Sequence, residues 1–242
     1  MGEATLWAFL ASASLFVGAG IAIVARPTQR VTGLVMAFGA GALISAVAYD
    51  LVLEALEFTD AIHLAAWMAV GGVFFVVGDL LISRSGGAGR KRSTGVQSQG
   101  SPLSIVLGAA LDGVPESIVI GLSVLLDGAA SASFLVATFL SNLPEAMAAT
   151  VGLRRAGWRS RRIWGLWSIV VAASTLSAAI GYAVFDRFSG TTGAAVQAFA
   201  AGAVITMLAD TMMPEAFEFG GRLVGLCTLA GFAVALAVSG VA

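Results

Sequence analysis

The sequence predicts an all-α integral membrane protein with eight transmembrane helices in an inverted repeat, helices 1–3 related to 6–8 and helix 4 to helix 5. Three observations carry that prediction. Of 242 residues, 58% are hydrophobic and 11% charged, whereas soluble domains run at about 45–50% and about 25%; mean hydropathy is +0.94. The apolar residues gather into eight segments, each near the roughly 20 residues that cross a bilayer core. Two distant segments also align with each other without gaps, and two others share a Pro-Glu pattern.

In order, the spans are predicted near residues 5–25, 32–57, 61–83, 103–126, 130–153, 162–185, 192–217 and 222–241. The opening MGEATLWAFL lacks the basic n-region of a cleaved signal peptide, so the first span is expected to be retained. After the third span the composition changes to Gly, Ser and basic residues. Residues 85–101 therefore read as a disordered basic cytoplasmic linker, joining helices 1–3 (residues 1–84) to helices 4–8 (residues 102–242) of one membrane domain. Ser101 and Pro102 read as the N-cap and first residue of the fourth span. Arg26 and Arg30 follow the first span, and Arg84, Arg90, Lys91 and Arg92 the third. Arg154, Arg155, Arg159, Arg161 and Arg162 follow the fifth, and Arg222 the seventh; only Arg187 falls on the other side. Cytoplasmic loops collect Lys and Arg, so both termini are expected outside the cytoplasm in a multi-pass protein of the cell (inner) membrane.

The segment Ala37–Phe58, AFGAGALISAVAYDLVLEALEF, aligns with Ala198–Phe219, AFAAGAVITMLADTMMPEAFEF, with roughly half the positions identical. Glu54 pairs with Glu215 and Glu57 with Glu218. In the expected topology these spans run in opposite directions, as do the fourth and fifth, which carry DGVPE and SNLPE. Inverted repeats mark many secondary transporters, whose substrate site lies near the midplane between the repeats.

Asp50, Glu54, Asp112, Glu116, Glu145, Asp210 and Glu215 fall within or near the ends of spans. A carboxylate near a helix centre costs about 2.5–3.5 kcal/mol to insert, and no Lys or Arg lies deep enough to pair with these. Cations or protons from solution must neutralise them. Asp112 and Glu116 are four residues apart and share a helix face, and Ser141 and Glu145 repeat the relation. If the two helices pack side by side, three carboxylates and a hydroxyl can converge. Pro115, Pro144 and Pro214 release the carbonyls of Leu111, Leu140 and Asp210 as further acceptors. Met207, Met212 and Met213 read as packing residues, His63 as a surface residue, and Cys227, the sole cysteine, as a small buried one.

At these residues the chain resembles the ZIP (Zrt/Irt-like protein) family of divalent-metal transporters. The family's fourth helix typically reads HNxPEG, matched by Asp112-Gly113-Val114-Pro115-Glu116-Ser117; a related fifth-helix pattern matches Ser141-Asn142-Leu143-Pro144-Glu145. The AFxAG start and PEA end of the second and seventh helices match too, with Leu53 in place of the second-helix Pro. The resemblance implies a metal site of Asp112, Glu116, Ser141 and Glu145. It implies a second site of Gly113, Asn142 and a sixth-helix Glu, here read as Ala178, so that Asn142 is the side chain left there. Asp50, Glu54, Asp210 and Glu215 are the expected transport route.

Oxygen-only ligands suit Mg²⁺, Ca²⁺ or Mn²⁺, yet carboxylates also bind Zn²⁺. The expectation is therefore a mononuclear, oxygen-rich site carrying Zn²⁺, or a broader set with Mn²⁺, Fe²⁺ or Cd²⁺, as substrate rather than cofactor. The cycle would be alternating access. With no P-loop, an ion gradient or the membrane potential is expected to drive it. With no room for a soluble catalytic domain, the chain is not expected to be an enzyme, and no nucleic-acid partner is expected. Its partners would be divalent metal ions and the lipid bilayer. Small-residue faces at Gly71-Gly72 and Ala195–Ala198 serve packing within a monomer or between protomers, leaving a homodimer open. Tyr49-Asp50 and Gly78-Asp79 superficially match intramembrane aspartyl proteases, but no PAL sequence follows. Two other readings stay open: a non-metal transporter using protonatable carboxylates, and a metal-binding homologue without transport.

Overall fold

In this computed structural model residues 1–87, 102–127, 131–185 and 190–239 are described, and among them every regular element is helical. The chain runs α1 (Gly2–Val24), α2 (Gln29–Ala46), a π-helical segment Val47–Leu53, α3 (Glu54–Leu56) and α4 (Ala61–Ile82), which a π turn extends over Ser83–Gly87. It continues with α5 (Pro102–Asp127), α6 (Ala132–Arg155), α7 (Ser160–Phe185) and α8 (Gly190–Met207). A second π segment, Leu208–Met212, leads into α9 (Met213–Gly220), a 3₁₀ turn (Gly221–Leu223) and α10 (Val224–Ser239). Short polar side chains start several helices by satisfying first-turn N–H groups. Thr28 accepts from Val31 N at 3.3 Å, Asp60 from Ile62 N and His63 N at 2.9 and 3.1 Å, and Ser131 from Phe134 N at 3.3 Å.

Seven helical stretches are long and apolar enough to cross a membrane, the last being the 50 residues Gly190–Ser239. That run is not one rod. At Gly221, with φ 69°, the backbone enters a region that only glycine adopts without strain, and α9 and α10 on either side both pack on α2. Each sequence-predicted segment coincides with helix, within a few residues at its ends. Of the expected linker, residues 85–87 prolong the helix; residues 88–101, and with them Ser101 as an N-cap, lie outside the described residues, as does Arg187.

Packing follows the small residues. α1 lies on α6 and α7, α5 on α7, α2 on α6, α9 and α10, and α4 on α8. The α2–α10 and α4–α8 crossings are built alike. A Cβ at Gly41 would strike the carbonyl of Thr228, and one at Gly231 the carbonyl of Phe38. In the other pair Gly202 abuts the carbonyl of Met68, and Gly71 that of Phe199. The Gly71 and Ala198 faces are thus used inside the chain, Ala198 being fully buried. α4 buries only Leu64, Gly71 and Phe75 and exposes Val73, Phe74, Val77 and Leu81, as a helix bathed in lipid does.

Candidate functional site

Apolar α5 and α6 bury a set of oxygen-bearing side chains. Asp112 and Glu116 are 3% and 2% exposed, and Ser141, Asn142 and Glu145 are 1%, 6% and 5% exposed. The four-residue spacing puts each Asp/Glu or Ser/Glu pair on one face of its helix, and both faces point inward. Helix geometry persists through Pro115 and Pro144. Ser117 Oγ donates to the carbonyl of Gly113 at 2.7 Å, and Ser141 Oγ to that of Thr138 at 3.0 Å. One oxygen of each α5 carboxylate, Asp112 Oδ2 and Glu116 Oε2, lacks a hydrogen-bond partner, although both residues are otherwise engaged. Among the described residues, no Lys or Arg is buried.

The two helices do not lie side by side along their length; α5 and α6 meet over a short stretch only. Glycines decide this. α6 is drawn against α2 at Gly39, whose Cβ position is 2.8 Å from the carbonyl of Leu140, and against α1 at Gly18, which abuts the carbonyl of Leu143. α5 is drawn against α7 through Gly181, whose Cβ position is 3.0 Å from the carbonyl of Ile118. Among the described residues, no three His, Cys, Asp or Glu side chains come together as a metal-binding group. The α7 side chain facing Gly113 is Ser174, its Oγ 3.0 Å from where a Cβ would stand and the residue 2% exposed. Ala178, expected there from the sequence, instead lies against Gly121, two turns along.

The outlying carboxylates divide. Asp50 sits in the first π segment, half-buried, and accepts from Ser133 Oγ with both oxygens at 2.7 and 2.8 Å, tying α2's continuation to the start of α6. Glu54 accepts from Gln197 Nε2 of α8 at 2.9 Å. Gln197 is 2% exposed, and its Oε1 has no hydrogen-bond partner. Glu215 is buried at 5%. Asp210 is exposed, so it is not brought to the interior with the others. π segments recur at functional sites in helical proteins, and these two occupy matching places in the aligned segments, Val47 and Leu208 having the same offset as Ala37 and Ala198.

Ser133, Ser174 and Gln197 were not singled out by sequence reasoning. Each acts across a helix–helix contact, and no spacing along one helix marks such a contact. The gapless alignment was the one signal that could have placed the second π segment from the first. No protein-family model matches the chain, and no curated protein matches it significantly.

Proposed function

We propose that the chain is a divalent-metal transporter of the ZIP type, with eight crossings, both termini outside the cytoplasm, and an oxygen-rich site for Zn²⁺ or a broader set of cations between α5 and α6. One observation carries this reading: three carboxylates, Asp112, Glu116 and Glu145, are all at most 5% exposed in apolar helices, where each costs about 2.5–3.5 kcal/mol to insert. Asn142, Ser141 and Ser174 would add neutral oxygens. Such donors suit a hard or borderline divalent ion.

Two further features support the inverted arrangement. If α1, α2, α4 and α5 correspond to α7, α8, α10 and α6, the α1–α6 contact maps onto α7–α5, and α2–α10 onto α8–α4; all four contacts are present. The paired glycine crossings and the matching π segments obey the same mapping. Gly221 divides the last run into the seventh and eighth crossings. The cation would move as one set of helices shifts against the other and exposes the carboxylates to each side in turn.

The test is metal flux into proteoliposomes, wild type against Glu116→Gln and Glu145→Gln, with Zn²⁺, Mn²⁺, Fe²⁺, Cd²⁺ and Mg²⁺ in parallel. Flux that falls at least tenfold in both variants supports the reading. Folded protein that moves no metal above empty liposomes refutes it; proton movement without metal would assign the carboxylates to a proton-coupled carrier.

A further inference from the structure

A second polar feature lies away from these carboxylates, where α1 and α6 both end. A cavity of about 270 Å³ opens between the α1–α2 turn and the last turns of α6, lined by Ala22, Arg26, Pro27, Val151, Arg154 and Arg155. Three arginines thus line one small space, Arg26 and Arg155 exposed and Arg154 half-buried, although Arg26 comes from a distant part of the chain. Arg154 is half-buried and is oriented by a hydrogen bond from its Nη1 to Ser160 Oγ at 3.1 Å.

We propose that Arg26, Arg154 and Arg155 form a binding site for a phosphate group, carried by the headgroup of an anionic membrane phospholipid. The guanidinium fork matches a phosphate's oxygens two at a time, and basic pockets between transmembrane helices are the places where such headgroups dock. The backbone supplies a second, independent observation. Arg26 has φ 49° and is the one non-glycine residue with positive φ among those described. A helix leaving through a left-handed residue normally uses glycine there. An arginine held in that strained conformation indicates that its side chain is needed at that position.

Location and lining favour a lipid over a soluble anion. Two helices long and apolar enough to cross a membrane end at the cavity, as a site at the hydrocarbon edge requires. Ala22 and Val151 give it an apolar wall for the glycerol and first acyl carbons. Trp158, under the Arg162 guanidinium at 3.9 Å from its ring centroid, is the kind of aromatic that anchors at that level. Favourable charge at helix C-termini accounts for Arg154 and Arg155 in the last turn of α6. It accounts neither for the shared cavity nor for the conformation of Arg26. The site is independent of metal transport, and its test does not use flux.

Full-length protein in detergent is titrated with phosphatidylglycerol or phosphatidylcholine, and bound lipid is counted by native mass spectrometry. Wild type is compared with Arg26→Gln/Arg154→Gln/Arg155→Gln, and with Arg30→Gln/Arg159→Gln/Arg161→Gln, which removes the same charge outside the cavity. Wild type and the second triple should hold phosphatidylglycerol in preference to phosphatidylcholine, and the first triple should lose about a hundredfold in apparent affinity. Equal loss in both triples, or equal binding of the two lipids, overturns the proposal. Inorganic phosphate that binds without lipid and fully displaces phosphatidylglycerol assigns the site to a soluble anion and overturns the lipid source. Should the first triple fail to fold, Val151→Trp, which blocks the cavity and keeps every charge, must give the same loss.

Discussion

Replacing Gly39 by alanine isolates how closely α2 must approach the candidate site. The new Cβ would stand 2.8 Å from the carbonyl oxygen of Leu140 and 2.9 Å from Cα of Ser141, where ordinary contact begins at 3.4 Å. Both obstacles are backbone, so no side chain can rotate away and α2 must retreat by about 0.6 Å. Alanine gains about 0.8–1.0 kcal/mol of helix propensity over glycine, while overpacking a close-packed contact costs about 1–3 kcal/mol. Gly165 in α7 provides the control, since its Cβ would meet nothing within 4 Å. Gly165→Ala should therefore stabilise by about 0.8–1.0 kcal/mol, and Gly39→Ala should fall about 1–3 kcal/mol short of it. Unfolding in mixed micelles, followed by the fluorescence of the five tryptophans, measures both. Equal stabilisation by the two substitutions would refute the argument that this glycine sets the α2–α6 distance.

Trp167→Phe removes the 2.9 Å bond from the indole N–H to Thr150 Oγ1, between residues at most 1% exposed, and should cost about 1–3 kcal/mol in the same unfolding assay. Thr150→Val in that background should cost little more, because both polar partners are then gone. Ser133→Ala should lower stability by about 1–2 kcal/mol and speed hydrogen exchange at the start of α6, since it unties Asp50. Asp60 has its carboxyl held below the usual 3.8, first by the backbone N–H of His63 and then by its ring. Its contribution to the start of α4 is present above that ordinary value and is lost as pH falls through the lower, folded one; exchange at the Ile62 and His63 amides should accelerate there and not near neutrality.

The helices were legible because hydropathy alone decides them, and the inward face of α5 was legible because Asp112, Pro115 and Glu116 break an otherwise apolar run. Helix neighbours were less so. The Pro-Glu echo suggested that α5 and α6 pack together, but their small residues are matched to other helices: Gly18 and Gly39 bring α1 and α2 to α6, and Gly181 brings α7 to α5. The family resemblance set Ala178 beside Gly113, whereas the α5–α7 crossing brings Ser174 there and Ala178 to Gly121. Pro214, read as freeing the carbonyl of Asp210, stands in the first turn of α9, directly after a π segment. No proline accompanies the equivalent segment at Val47–Leu53, so composition could not have revealed it.

Those π segments make the two carboxylate ends rotational settings. One residue inserted into an α-helix turns everything after it by about 100°. Glu54 meets Gln197 in a direction that an uninterrupted α2 would not give it. Winding Val47–Leu53 as regular α-helix, with no residue added or removed, would leave composition and hydropathy untouched, yet it would swing Glu54 away from α8 by roughly a quarter turn. In this chain the number of residues in a turn, and not only their identity, is part of the site.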